Sequence, residues 1–136
     1  MKFNPEIPVY GDQSYRNKKA PKESAEQITF VARVRREYPD SYGALIVHIK
    51  NEGKRTRGQA YHDNASGLTP GASDIVIPSG RTFVCEMKRK DHTLSAWQDG
   101  QQEYLLAAKA AGAFVCVALG HEGAWAALQD YINGVE

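Results

Sequence analysis

Apolar residues follow two spacings along this chain, and each spacing predicts one type of element. A spacing of three to four residues, typical of amphipathic helices, runs over 22–38, from Ser95 to about 112, and over 121–132. Short continuous apolar runs, typical of buried strands, occupy 42–49, 75–77, 82–84 and 113–119. The resulting α-β-β-β-α-β order, followed by a C-terminal helix, favours an α/β fold with a mixed central β-sheet flanked by helices.

The two longer helical patterns also predict which side chains face the core and where each helix begins. In the first helix, one stripe carries Ile28, Val31, Ala32 and Arg35, with Phe30 and Val34 beside it. Ser24 is a plausible N-cap of this helix, which places Glu26 and Gln27 in its first turn. Ser95 is the predicted N-cap of the second helix, and Gln98 then lies in its first turn.

A predicted hairpin near the middle of the chain brings three charged residues together. Pro78-Ser79-Gly80 is a turn sequence between two apolar runs. Asp74 enters the first strand, while Glu86 and Lys88 are two residues apart on the second and therefore share a face. Paired carboxylates of this kind can hold Mg²⁺ or Mn²⁺, although a solvated hairpin face would carry the same charges.

Composition places the chain among ordinary soluble proteins of one domain. It has 136 residues, of which 42% are hydrophobic and 24% charged. No apolar run approaches the roughly 20 residues of a membrane span, and the N-terminus has no apolar signal region, so a cytoplasmic protein is expected. Cys85 and Cys116 lie in apolar runs and are expected to be buried thiols, and the four histidines lack the spacing of a zinc site.

Charge is distributed unevenly although the formal net charge is only +1. Residues 1–22 carry five basic and two acidic side chains, and residues 48–60 carry four basic and one acidic. Prolines and glycine predict that 1–21 forms an extended arm, ahead of a single domain over 22–136. The arm could pack on the body, cross to a partner subunit, contact nucleic acid or remain a flexible tail. The segment 50–58 could approach phosphates or be an ordinary connection.

Five sequence pieces, in order, resemble the VRR-NUC (virus-type replication-repair nuclease) family of the PD-(D/E)xK nuclease superfamily. They are Glu26-Gln27, the Asn51-Glu52-Gly53-Lys54-Arg55 loop, GLTPGASD at 67–74, CEMK at 85–88 and LSAWQ at 94–98. The likeness runs from about Glu26 to Ile132 and leaves the arm uncovered. Two positions depart from the family pattern: Ser73 replaces a usual proline, and Glu52 replaces a glycine. The resemblance implies a restriction-endonuclease-like core.

The resemblance also implies a role for each matched residue. Asp74 and Glu86 would ligate Mg²⁺ or Mn²⁺, with the Met87 backbone carbonyl as a further ligand and Glu26 acting directly or through water. Lys88 would orient or activate the attacking water, and Gln98 would support the site. Contacts to DNA are expected from Lys50, Asn51, Lys54, Arg55, Arg57, Arg89 and Lys90.

The activity expected from this resemblance is metal-dependent hydrolysis of DNA phosphodiester bonds by an endonuclease. Cationic contacts to the DNA backbone position a duplex without reading its bases, which favours structure-selective cleavage. By analogy with stand-alone family members, often viral, the chain is expected to act as a homodimeric Holliday (four-way) junction resolvase, or else as a flap or nicking nuclease. The alternatives are a non-catalytic module that binds branched DNA on the same fold, and an accessory or assembly protein.

Overall fold

A five-stranded mixed β-sheet with helices on both faces organises the computed structural model, which describes residues 1–49, 57–67 and 69–135. In chain order the elements are β1 (Val9–Tyr10), α1 (Glu23–Glu37), α2 (Tyr42–Leu45), β2 (Val47–His48), α3 (Arg57–Ala65), β3 (Ile75–Ile77), β4 (Phe83–Lys88), a 3₁₀ turn (His92–Leu94), α4 (Gln101–Ala110), β5 (Phe114–Leu119) and α5 (Gly120–Ile132). The strand order is β1-β5-β4-β3-β2. The predicted α/β fold with a mixed sheet is confirmed.

The two central strands are buried along their whole length, which explains the continuous apolar sequence of β5 and the apolar first half of β4. β4 and β5 pair in parallel, with Cys85 beside Cys116, and helices cover both of their faces. Phe83, Cys85 and Met87 belong to one core cluster with residues of α1 and α5, whereas Val84 belongs to a second cluster with residues of α4. Both cysteines are buried free thiols, as predicted.

The hairpin of β3 and β4 agrees with the sequence prediction and sets the register of the charged residues. The strands are antiparallel, and Ile75 pairs with Cys85. One step further in this register places Asp74 opposite Glu86. The strand period of two puts Glu86 and Lys88 on the same face as Val84, which is the face covered by α4.

The predicted strand over 42–49 was wrong in its first half. Residues Tyr42–Leu45 form the short helix α2, and only Val47–His48 joins the sheet, as an exposed edge strand. The Tyr42 ring packs at right angles to those of Tyr38 and Tyr131, with centroids 5.3 and 5.9 Å away. These aromatic contacts against α1 and α5 favour the helical turn over an extended chain.

Two predictions about helices were also wrong in detail. In α1, Phe30 and Val34 are fully buried, while Ile28 is 71% exposed, so the core stripe is rotated from the predicted one. The helix predicted to begin at Ser95 begins at Gln101, after Gly100 in a left-handed conformation with φ 86°. The residues between Ser95 and Gly100 do not extend the helix toward its N-terminus, because they form hydrogen bonds elsewhere. The Ser95 hydroxyl, for example, accepts from the Arg89 N–H.

The N-terminal segment lies against the body of the protein. β1 extends the sheet by pairing in parallel with β5, and Ile7 and Ala20 are buried. The Tyr10 hydroxyl donates to Asp130 of α5 at 2.8 Å. Of the four possibilities for the arm, the structure therefore shows packing on the body. Among the described residues, none of the helices combines the length and apolar character needed to cross a membrane.

Candidate metal centre

Three carboxylates converge where β3, β4 and the first turn of α1 meet. Glu23, Asp74 and Glu86 each offer an oxygen, and these oxygens all lie within 4.8 Å of one another. Asp74 is positioned by the Met87 N–H, which donates to its Oδ2 at 3.1 Å. Carboxylate oxygens at this spacing are the ligand type that Mg²⁺ and Mn²⁺ prefer.

The electrostatics of this cluster favour a cation. The pKa of Glu86 is raised to about 9, first by burial and then by the neighbouring Asp74 carboxylate, while Lys88 opposes the change. Burial likewise raises the pKa of Asp74. The buried Glu86 Oε2 has no hydrogen-bond partner within the part of the chain that the structure describes. A divalent cation would satisfy this oxygen and compensate the repulsion between the two carboxylates, so the residues present fit the predicted metal.

The third acidic residue of the predicted site, Glu26, has a different environment from Asp74 and Glu86. Its Oε2 accepts a hydrogen bond of 2.5 Å from the His121 N–H, at the N-terminus of α5. Glu23 and Gln27, four residues apart, both line the cleft beside Asp74, because residues at this spacing share a helix face. Glu26 lies outside that pair and faces α5. The third carboxylate of the cluster is therefore Glu23, a residue that the sequence motif did not single out although it is acidic and in the first turn.

Lys88 is a buried cation held by a defined set of acceptors. Its Nζ donates to the Ala96 carbonyl and to Gln101 Oε1, both at 2.9 Å. The same Nζ lies 3.6 Å from Glu86 Oε1, and the lysine is only 2% exposed. An ammonium group has three donors, so these neighbours fix its direction toward the carboxylates.

Gln101, rather than the predicted Gln98, supports this pair. Its Nε2 donates to Glu86 Oε1 at 2.8 Å while its Oε1 accepts from Lys88. Gln98 precedes the helix and is exposed, and its backbone N–H donates to Gln101 Oε1 at 2.8 Å. The later start of α4 explains the difference, because the first helical residue is now Gln101. The only available sequence signal was the Gly100-Gln101 pair, in which glycine precedes a good helix former.

The Met87 carbonyl remains a predicted ligand that the strand geometry favours. In an antiparallel pair, the N–H and C=O of one residue point to the same edge of the strand. The Met87 N–H points to Asp74, and the register of β3 and β4 ends at Ile75. The carbonyl therefore faces the side on which Asp74 lies, beyond the end of β3.

Glu23 and Asp74 line a cleft of about 830 Å³, together with Lys88 and Gln101. Gly71, in the PG pair of the sequence motif, forms part of its wall with φ 80°. A Cβ atom at Gly71 would lie 2.2 Å from the carbonyl carbon of Gly100, so only glycine allows this loop to meet the start of α4. The motif thus holds the loop carrying Asp74 against the helix carrying Gln101.

The residues predicted to contact DNA lie in different environments. Lys50, Asn51, Lys54 and Arg55 lie outside the described residues. Arg57 is exposed at the start of α3. Arg89 instead donates from its Nε to the Pro21 carbonyl at 3.1 Å and from Nη2 to the Ala20 carbonyl. Lys90 lies 3.9 Å from the Glu122 carboxylate and 4.5 Å from the centre of the Tyr15 ring.

No protein-family model and no curated protein matches this chain. A solved structure described as a VRR_NUC domain protein superposes with a TM-score of 0.69. The alignment covers 87% of this chain and 93% of that chain, at 18% sequence identity. At this identity the structural likeness shows a shared fold. That fold is the one expected from the resemblance found in the sequence motifs. This chain therefore has the restriction-endonuclease-like fold of a VRR_NUC domain protein.

Proposed function

We propose that this protein is a Mg²⁺- or Mn²⁺-dependent DNA endonuclease of the VRR-NUC family. The observation that carries the proposal is the cluster of Glu23, Asp74 and Glu86, in which the buried Glu86 forms an ion pair with the buried Lys88. A structural ion pair would need one carboxylate for one ammonium group. Here three acidic groups share one place on a nuclease fold, and Glu86 Oε2 has no hydrogen-bond partner among the described residues.

The residues of the site have separable roles in this proposal. The three carboxylates and the Met87 carbonyl would hold the ion, which when bound would polarise the scissile phosphate and make a water more acidic. Gln101 keeps the Glu86 carboxylate and the Lys88 ammonium in a fixed relative orientation through its amide. The Lys88 ammonium stabilises negative charge that develops at the phosphate or on the attacking water. Its burial strengthens this interaction because little solvent screens it.

The proposed substrate is branched DNA, cut by a homodimer in the manner of a four-way junction resolvase. Backbone contacts from lysine and arginine recognise the path of the strands rather than their bases, which supports structure-selective cleavage. A two-fold dimer would present one active site to each of two strands. The dimer and the junction preference rest on analogy with stand-alone members of the family.

The first test compares cleavage of a labelled four-way junction, a flap and a linear duplex with Mg²⁺, with Mn²⁺ and with EDTA. Wild-type protein should give metal-dependent products, and Asp74→Asn and Glu86→Gln should reduce the rate at least about a hundredfold. Glu103→Gln removes an exposed carboxylate from α4 and is the matched control. Equal metal-dependent rates in all three variants would refute the site, and junction binding without any product would favour the non-catalytic module.

A second test distinguishes the two acidic residues of the first helix. Glu23→Gln should weaken metal-dependent cleavage, because it removes a carboxylate from the cluster. Glu26→Gln should retain activity, because a glutamine oxygen can still accept from the His121 N–H. The opposite pattern would show that Glu26, and not Glu23, is the third carboxylate of the site.

Analytical ultracentrifugation with the junction should show two subunits; a monomer that cuts a single strand contradicts the resolvase.

A further inference from the structure

The arm is fastened to the segment that directly follows Lys88. Three residues of that segment form hydrogen bonds with the backbone of the arm. Arg89 donates to the Ala20 and Pro21 carbonyls, and Asp91 Oδ2 accepts from the Asn17 N–H at 2.9 Å. His92 Nε2 lies 3.1 Å from the Gln13 carbonyl oxygen, at hydrogen-bond distance. Each contact links residues that are far apart in sequence. Together they seat residues 13–21 beside the end of β4 that carries the candidate metal centre.

The seated segment carries a basic strip that ends beside a residue of the cleft. Residues 13–22 contain four basic side chains and no acidic one. Lys18, Lys19 and Lys22 are exposed, and their ammonium groups have no hydrogen-bond or ion-pair partner among the described residues. Lys22 immediately precedes Glu23, which lines the cleft. We call Lys18, Lys19 and Lys22 the arm strip.

The function of Arg89 follows from the same geometry. The sequence suggested that its guanidinium contacts phosphate, and in the structure its Nε and Nη2 groups donate to two carbonyls of the arm. The arginine therefore anchors the strip, and the lysines of the strip are left facing solvent. These exposed lysines, in a segment without acidic residues, supply positive charge that ends beside Glu23 at the cleft.

We infer that the arm strip binds the phosphate backbone of the DNA that leaves the cleft on the side of the α1 N-terminus. Flexible ammonium groups bind phosphate as point charges, so the contact extends the bound length of DNA without reading its sequence. The inference rests on the proposed nuclease function. It gives the arm a part in substrate binding and leaves the hydrolytic chemistry to the carboxylates and Lys88.

The experiment compares Lys19→Ala/Lys22→Ala with a matched control, Arg35→Ala/Arg36→Ala. Both double variants remove two exposed positive charges, and the control lies in the last turn of α1, about 20 Å from its first turn at 1.5 Å per residue. Lys22 occupies the N-cap position of α1 but makes no side-chain capping bond, so its replacement should leave the helix intact. Equal melting temperatures for the two variants would confirm that folding is unaffected.

Binding to a labelled duplex and a four-way junction is measured in EDTA over a range of NaCl concentrations. The arm-strip variant should lower the slope of log affinity against log salt by about 2 and raise Kd roughly tenfold or more at 0.1 M salt. The loss should be the same for duplexes of different sequence. With Mg²⁺, its kcat at saturating DNA should match wild type while KM rises. The control variant should stay within about twofold of wild type.

The outcomes separate this inference from the function on which it rests. A wild-type protein that neither binds nor cuts DNA overturns both. A wild type that cuts DNA, with an arm-strip variant indistinguishable from the control in Kd and salt slope, overturns the inference alone. A second measurement uses the unmodified sequence: bound DNA should protect Lys18, Lys19 and Lys22 from acetylation. Unchanged acetylation on saturation with DNA also contradicts the inference.

Discussion

Replacing Glu86 by glutamine should stabilise the metal-free protein at alkaline pH while removing its activity. Glu86 is fully buried, and its pKa is raised from 4.5 to about 9. In the folded protein the carboxyl group keeps its proton up to about pH 9, whereas in the unfolded chain it loses the proton near pH 4.5. The folded state therefore binds more protons between these values, and stability must fall as pH rises.

The size of the effect follows from the shift. Each pH unit inside this window costs about 1.4 kcal/mol, so a change from pH 5 to pH 8 should lower the free energy of unfolding of the metal-free wild type by about 4 kcal/mol. The raised pKa of Asp74 acts in the same direction. A neutral glutamine mimics the protonated carboxyl, so Glu86→Gln should match wild type at pH 5 and exceed it by several kcal/mol at pH 8. For a chain of this length, that difference corresponds to about 15 °C in Tm.

Urea denaturation in EDTA at several pH values measures the effect, with the exposed Glu103→Gln as the control for loss of one charge. Wild type and the control should lose stability in parallel from pH 5 to pH 8, and Glu86→Gln should lose much less. Excess Mg²⁺ should raise the stability of wild type at pH 8, because a ligand bound only by the folded state stabilises it. Glu86→Gln should not respond. Three parallel pH curves would refute the argument from burial.

The remaining predictions concern the support of the site and the core. Gln101→Leu should reduce kcat about a hundredfold, because it removes the side-chain hydrogen bonds to Glu86 and Lys88. Gln98→Leu keeps the backbone N–H of residue 98, so its kcat should stay within about threefold of wild type in the same cleavage assay. Phe30→Ala should cost about 3–5 kcal/mol of unfolding free energy and Ile28→Ala less than about 1 kcal/mol, as measured by denaturation; similar losses would contradict the orientation of α1. Gly71→Ala should lower Tm markedly because its Cβ has no space, and an unchanged Tm would exclude that close approach.

The hairpin that carries Asp74, Glu86 and Lys88 could be predicted from the sequence because its geometry is local. A turn sequence between two apolar runs defines an antiparallel pair, and the alternation of side chains places Glu86 and Lys88 on one face. Asp74, one residue before β3, then comes opposite Glu86. The buried thiols followed in the same way, since Cys116 lies inside a fully apolar strand and Cys85 directly follows the apolar residues Phe83 and Val84. These features depend on neighbours only a few residues away.

Helix phase and helix start could not be predicted in this way. Glu23 and Glu26 are both acidic and both lie in the first turn of α1. Which of them meets Asp74 depends on how the helix rotates when Phe30 and Val34 enter the core. The partner of Glu26 is on α5, nearly a hundred residues later, so no local pattern contains this information.

By itself, the sequence determined the α/β order, the central hairpin and the residues Asp74, Glu86 and Lys88, because strand periodicity and turn chemistry operate over short distances. Only the tertiary structure decided that Glu23 and Gln101 lie beside these residues and that Arg89 anchors the arm. Those choices come from packing among elements that are distant in sequence, where the burial of apolar surface sets the orientation and polar groups must then find partners. The polar partners of the site are therefore a consequence of how the core packs.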